Sequence, residues 1–220
     1  MDRELDEVGV VAFPEAHVVK NFESGVIAVT QANGIGGFHS NTIMFGWSRQ
    51  KERLESQLRI LRAVSHAGKN TVITRLNWLH EPGREKRIDI WWGGLQNNGD
   101  LMLILAYLLR LNTEWLDARI FVRSVARDEE ERARQLESLS GLIPEIRIGA
   151  ESEVIVKPPE KSVMEVMHEV SRDASIVFLG LQEPKFGAES DYADRIIELA
   201  EGFPTAIFVR SAGEFAGKLI

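Results

Sequence analysis

The second half of this chain has a rhythm that leaves few folds open to it. From Arg87 onward, short β-branched runs alternate with longer runs of helical period. The pattern predicts strands over 87–92, 118–125, 153–156, 175–179 and 205–210, and helices over 100–111, 128–139, 162–171 and 191–201. A strand that is followed by a helix before the next strand pairs in parallel, because the helix must cross back over the sheet. The expected fold is therefore α/β, a three-layer, mostly parallel, doubly wound sheet. Residues 145–148 read as one more short strand.

The first half keeps the same grammar. Strands are expected over 8–13, 42–47 and 70–76. A helix is expected over 22–33, closed by Gly34 as a left-handed cap. Another is expected over 49–67, where Leu54, Leu58, Leu61 and Val64 share one face and Gly68 stops the helix. The rhythm breaks at the polar stretch 80–86, which holds the turn pair Pro82-Gly83. A boundary is placed there, giving subdomains 1–84 and 85–220, each built of βα units. No sequence repeat or low-complexity tract is found.

Composition removes several functions. The chain of 220 residues has 26 basic and 33 acidic residues, a net charge of −7. An acidic chain with no basic cluster is a poor partner for phosphate backbones, so no nucleic-acid partner is expected. There is no cysteine, which excludes disulfide scaffolds, thiolate metal sites and cysteine nucleophiles. The longest apolar run, 101–109, falls far short of the roughly 20 residues that span a bilayer. The charged N-terminus has no signal core, so the chain is expected to be soluble.

Candidate chemistry is sparse. Gly34-Ile35-Gly36-Gly37 follows a helix and precedes a strand, the reverse of a dinucleotide loop, and reads as a tight connection. The loop from Gly93 to Gly99 has the right order, strand before and helix after. It is opposed by Asp100, read as the cap of the next helix, and no Walker lysine follows. If a ligand binds, the cleft beyond the strand ends is its place, with Gly93, Gly94, Gly99 and Gly180 as the cofactor-binding candidates. The five histidines (His17, His39, His66, His80 and His168) show no metal-ligand spacing. No Gly-x-Ser-x-Gly elbow occurs, and no catalytic or metal residue is expected. Asp89 lies within an apolar strand and needs a partner. Trp91 and Trp92 are adjacent on that strand and so face opposite sides of the sheet. The helix over 100–111 is apolar on every face. Either it is sandwiched between the sheet and the other subdomain, the favoured reading, or it is buried in a homodimer contact through Leu101, Ile104, Leu105 and Leu108.

Several of these features occur together in one family. Gly34-Ile35-Gly36-Gly37 followed by Asn41-Thr42 and Gly46-Trp47 resembles the opening of the cytosolic C-terminal domain of cation–chloride cotransporters, within the amino acid–polyamine–organocation transporter superfamily. Ile88-Asp89-Ile90-Trp91-Trp92-Gly93-Gly94, the apolar helix with Tyr107-Leu108-Leu109, then Trp115 and Arg119-Ile120-Phe121, is similar to that domain's second hallmark. The resemblance runs from about Gly25 to the C-terminus. The loop after Trp92 is longer than in animal members, His39-Ser40 replaces a basic-proline pair, and the long regulatory insertions are missing, which points to a prokaryotic relative. The first half looks short for a complete unit. The resemblance implies two halves similar to universal stress proteins and no enzymatic activity. It implies a regulatory and homodimerising role at the cytoplasmic face of the membrane, beside a transmembrane transport domain of the same polypeptide that couples chloride to sodium or potassium. No cofactor is required; an adenine nucleotide is the one the family leaves open, and a nucleotide sensor is the alternative function.

Overall fold

The structure is a computed structural model that describes residues 12–13, 15–35, 38–77, 86–93, 98–146 and 148–216. Helix α1 (Phe22–Ala32) leads into a two-residue hairpin, β1 (Gly34–Ile35) and β2 (Phe38–His39). Then follow β3 (Thr42–Gly46), α2 (Lys51–His66), β4 (Asn70–Arg75), β5 (Arg87–Trp91) and α3 (Gly99–Arg110). A 3-10 turn (Thr113–Trp115) precedes β6 (Arg119–Ala126), α4 (Glu129–Ile146), β7 (Ala150–Val156), α5 (Val163–Val170), β8 (Ile176–Gly180), α6 (Glu189–Glu201) and β9 (Ala206–Arg210).

Seven strands form one sheet in the order β3-β4-β9-β8-β5-β6-β7. Strands β5 to β9 are mutually parallel, a doubly wound block in which the chain runs outward through β6 and β7 and returns to β8. β3 and β4 are parallel to each other, and β4 joins β9 antiparallel. Segments 1–84 and 85–220 thus meet in one sheet; the division between them lies outside the described residues.

The seam has an approximate two-fold arrangement. The unit β3–α2–β4 and the unit β8–α6–β9 have the same connectivity. β4 pairs with β9, and α2 packs against α6. Leu54, Leu58 and Leu61 of α2 share one apolar cluster with Ala193, Ile196 and Ala200 of α6. No sequence repeat announces this, because burial on both faces asks only for apolar residues, not for particular ones. On the opposite face α3 and α4 cover Ile90, Val122, Phe178 and Val209. That layer stops short of the first block: Met44, in register with Val72, is 69% exposed.

Local chemistry accounts for the differences from the expected boundaries. Gly34 is not a left-handed cap. α1 ends at Asn33 in an extended conformation (φ −69°, ψ 121°), because the chain turns at once into the β1–β2 hairpin. Gly68 is the left-handed stop of α2, with φ +71°. The strand expected over 145–148 is not formed: α4 continues through Ile146, and the break comes at Gly149, with φ +66°. Of the strand expected over 8–13, only Ala12 and Phe13 are described, and both are irregular and exposed. Gly36, Gly37, Pro82-Gly83 and His80 lie outside the described residues.

Candidate functional site

In a doubly wound sheet the crevice for a ligand opens where neighbouring connections leave in opposite directions, here between β5 and β8. That is where the Gly93–Gly99 loop was expected to face a ligand. Among the described residues, two side chains lie there. Asn98, almost fully buried, donates from Nδ2 to the Leu181 carbonyl at 2.9 Å, and its Oδ1 accepts the Ser211 N–H at 2.9 Å. The Trp92 ring lies against Gly99, so that a Cβ there would come within 2.1 Å of it. A Cβ at Gly180 would meet Asn98 Nδ2 at 3.0 Å. Gly99 and Gly180 are therefore glycines because protein packs on them. Gly93 is exposed, and Gly94 lies outside the described residues.

Asp100 is not the cap of α3. The N-cap is Asn98, whose side chain is turned away to the seam, and Asp100 sits buried in the first turn, where a carboxylate suits the helix dipole. Asn98 was not singled out in the sequence, because nothing local distinguishes a loop asparagine from one that reaches two other strands. A second buried asparagine, Asn70, works beside it. Its Oδ1 accepts the Ala212 N–H at 2.8 Å. Two consecutive amides after β9 are thus held from two different elements, the N-cap of α3 and the start of β4.

Asp89 has its partners. Fully buried, it is ion-paired with Arg87 at 3.1 Å and Arg123 at 3.2 Å, and Ser171 Oγ donates to it at 2.8 Å. Trp91 Nε1 donates to the same Ser171 at 3.0 Å, and Arg123 also pairs with Glu153. A carboxylate paired in this way is a structural anchor. Trp91 and Trp92 do pack on opposite clusters.

Among the described histidines, His17 pairs with Glu15 and His66 with Glu183. His168 is 2.9 Å from the Leu199 carbonyl and stands edge-on to Phe203. Among the described residues no group of histidines and carboxylates converges as a metal site, and no helix is long and apolar enough to cross a membrane.

Two surface features remain. Along α3, Leu101 is buried in the chain's own core, Ile104 and Leu105 are half-buried, and Leu108 is 54% exposed. Leu111 and Leu116 are exposed at 56% and 58%, and Tyr107 at 38%. At the carboxyl ends of β3 and β4 lies a cavity of about 660 Å³, lined among others by Trp47, Arg49, Arg75, Ile197 and Glu201. No expected site residue falls there.

Comparisons with known proteins agree with this architecture. The model of solute carrier family 12 matches residues 48–178, more than half of the chain. The crystal structure of the cytoplasmic domain of a prokaryotic cation chloride cotransporter superposes with a TM-score of 0.65 at 20% identity, covering 89% of this chain and 73% of that one. A universal stress protein in complex with cAMP (13% identity, TM-score 0.40) and a universal stress family protein from Burkholderia pseudomallei (20%, 0.39) each match 59% of this chain over their whole length.

Proposed function

The chain belongs to solute carrier family 12, and from that we propose that it is the cytosolic regulatory and homodimerisation domain of a secondary transporter. That transporter would couple chloride to sodium, potassium or both, and its membrane half would be part of the same polypeptide. The domain works without chemistry of its own. It holds two protomers in one orientation at the cytoplasmic face, and so biases the membrane half through a geometric constraint.

One observation carries the dimer: three leucines close together in the sequence, Leu108, Leu111 and Leu116, are exposed at the end of α3 and in the turn after it. Contiguous apolar surface marks an interaction site far more often than scattered single residues do. Leu108 stands at the centre of the contact, Ile104 and Leu105 flank it, and Leu101 seats the helix from beneath.

Sedimentation of the chain over a range of concentrations tests this. The wild type should dimerise, and Leu108→Asp with Leu111→Asp should leave a folded monomer with an unchanged far-UV circular dichroism spectrum. Full burial of one leucine is worth about 1.5–3 kcal/mol, so the double change should weaken the dimer by about a hundredfold or more. A wild type that stays monomeric at the highest attainable concentration overturns the proposal. The alternative, an adenine-nucleotide sensor, needs room in the β5–β8 crevice beside Asn98 and Trp92. Calorimetry with ATP, ADP and AMP that gives no heat would dismiss it.

A further inference from the structure

We propose that α1 is a releasable strap: it lifts off α2 as a unit while the seven-stranded sheet stays closed, and Glu23 is the clasp that holds it down. The helix has 11 residues, and its buried ones are Gly25 and Thr30. Neither anchors it to the rest of the chain. A Cβ at Gly25 would come within 2.5 Å of Val19, which precedes the helix, and the Thr30 hydroxyl donates to the Val26 carbonyl of its own turn at 2.7 Å. Phe22 is 56% exposed, and Val26, Ile27 and Val29 are half-buried. α1 thus lacks the fully buried leucines by which α2 is tied to α6.

The sheet does not tie α1 down either. β1 and β2, which follow it, pair with each other and stand apart from the seven strands. The chain is pinned just after them. Lys69 donates to the Ser40 carbonyl, and the Asn70 N–H donates to the Asn41 carbonyl at 2.8 Å, before β3 begins. Residues 39–41 are therefore where the strap hinges.

What holds α1 is charge. Three donors of α2 converge on one carboxylate oxygen, Glu23 Oε1: Ser56 Oγ at 2.8 Å, Arg59 Nε at 2.9 Å and Arg59 Nη2 at 2.8 Å. Arg59 Nη2 also donates to Ser56 Oγ at 3.0 Å, which sets the guanidinium in place. The bond from Arg59 holds the Glu23 carboxyl below its usual value, so the clasp is charged near neutrality. Such charge-assisted bonds are strong and directional. They are also within reach of water: the Glu23 side chain is 30% exposed and that of Arg59 39%. Water can replace the bonds on opening, and no charge is left buried. The pair of Asp89 and Arg123, at 0% and 6%, cannot open in that way without great cost. Elements held by few buried apolar side chains and by accessible bonds open at lower free energy than the core. Shut, the strap passes any pull on the chain ahead of it straight to α2 and the seam; open, it is a slack tether. That the pull comes from a transport half rests on the proposed function; the clasp itself does not.

Amide hydrogen exchange on the full chain tests this, with residues 25–32 set against the β4–β9 ladder, 71–75 and 206–210. The α1 amides should exchange about a hundredfold faster than the ladder amides, or more. Arg59→Gln should speed exchange in 25–32 about tenfold further and leave the ladder unchanged, and Glu23→Gln should do the same. Glu23 also lies in the first turn of α1, where a carboxylate favours the helix itself. Arg59→Gln is therefore the deciding variant, since it leaves every residue of α1 as it was. Exchange of α1 at the ladder's rate overturns the proposal, because the helix would then open only with the whole fold. So does Arg59→Gln that changes neither region, which would make the fast exchange plain fraying. So does Arg59→Gln that speeds both regions equally, which would make Arg59 a support of the whole fold. None of these outcomes bears on dimerisation.

Discussion

Asp89→Asn is expected to lower stability by about 3 kcal/mol, because Arg87 and Arg123 would lose their common counter-charge inside the protein. Urea unfolding should show a lower midpoint with an unchanged slope. The sequence marked Asp89 as needing a partner. It could not name Ser171, which comes from the end of α5, or Arg123 from the next strand, because tertiary pairing brings them there. Glu189 gives a pH prediction. The hydrogen bond from Arg62 holds its carboxyl below the usual carboxylate value of 4.5. A carboxylate lowered on folding adds stability that is complete above its unfolded value and is lost as pH falls through the folded one. Glu189→Gln should therefore flatten the acid limb of a Tm-against-pH curve below about pH 4.5, and leave its slope near neutrality as it was.

At the scale of elements, strands and helices were legible because each follows from local periodicity. α2, with its stripe of three leucines and a valine, has close to its expected limits. The limits that moved did so where a turn, not a periodicity, decides: the hairpin after Asn33 and the left-handed Gly149. The two strands named as flanking the expected ligand cleft, β5 and β8, are neighbours in the sheet, but the reach of Asn98 to Leu181 and Ser211 was not readable, since that depends on the position of β9. Asn98→Ala should loosen this junction. It leaves the Leu181 carbonyl and the Ser211 N–H buried without partners, at a cost of roughly 2–4 kcal/mol. Hydrogen exchange should show the loss of protection concentrated in 98–103, 181–183 and 209–212.

For the whole molecule, the seam between the two blocks is as well built as either block. The ladder between β4 and β9 runs over five residue pairs, and α2 and α6 share one apolar cluster below it. Thermal unfolding followed by far-UV circular dichroism and by tryptophan fluorescence should therefore give coincident curves. Trp47, stacked on Phe208 of β9, and Trp91, in the cluster shared by α2 and α6, report on the seam, and Trp92 on the second block. Two separated transitions would mean that segments 1–84 and 85–220 are held together more weakly than their shared sheet indicates. The sequence suggested two βα halves but not how they join, because edge-to-edge pairing leaves no mark on either strand's hydrophobic pattern.

The antiparallel joint between β4 and β9 has a consequence for orientation. Loops that recognise something gather at the carboxyl ends of parallel strands, and here the two blocks present those ends in opposite directions. The molecule is thus bipolar, in the manner of a coupling rod: the loops at the β3–β4 end and those at the β8–β9 end lie a full strand length apart, joined through a continuous ladder of backbone hydrogen bonds.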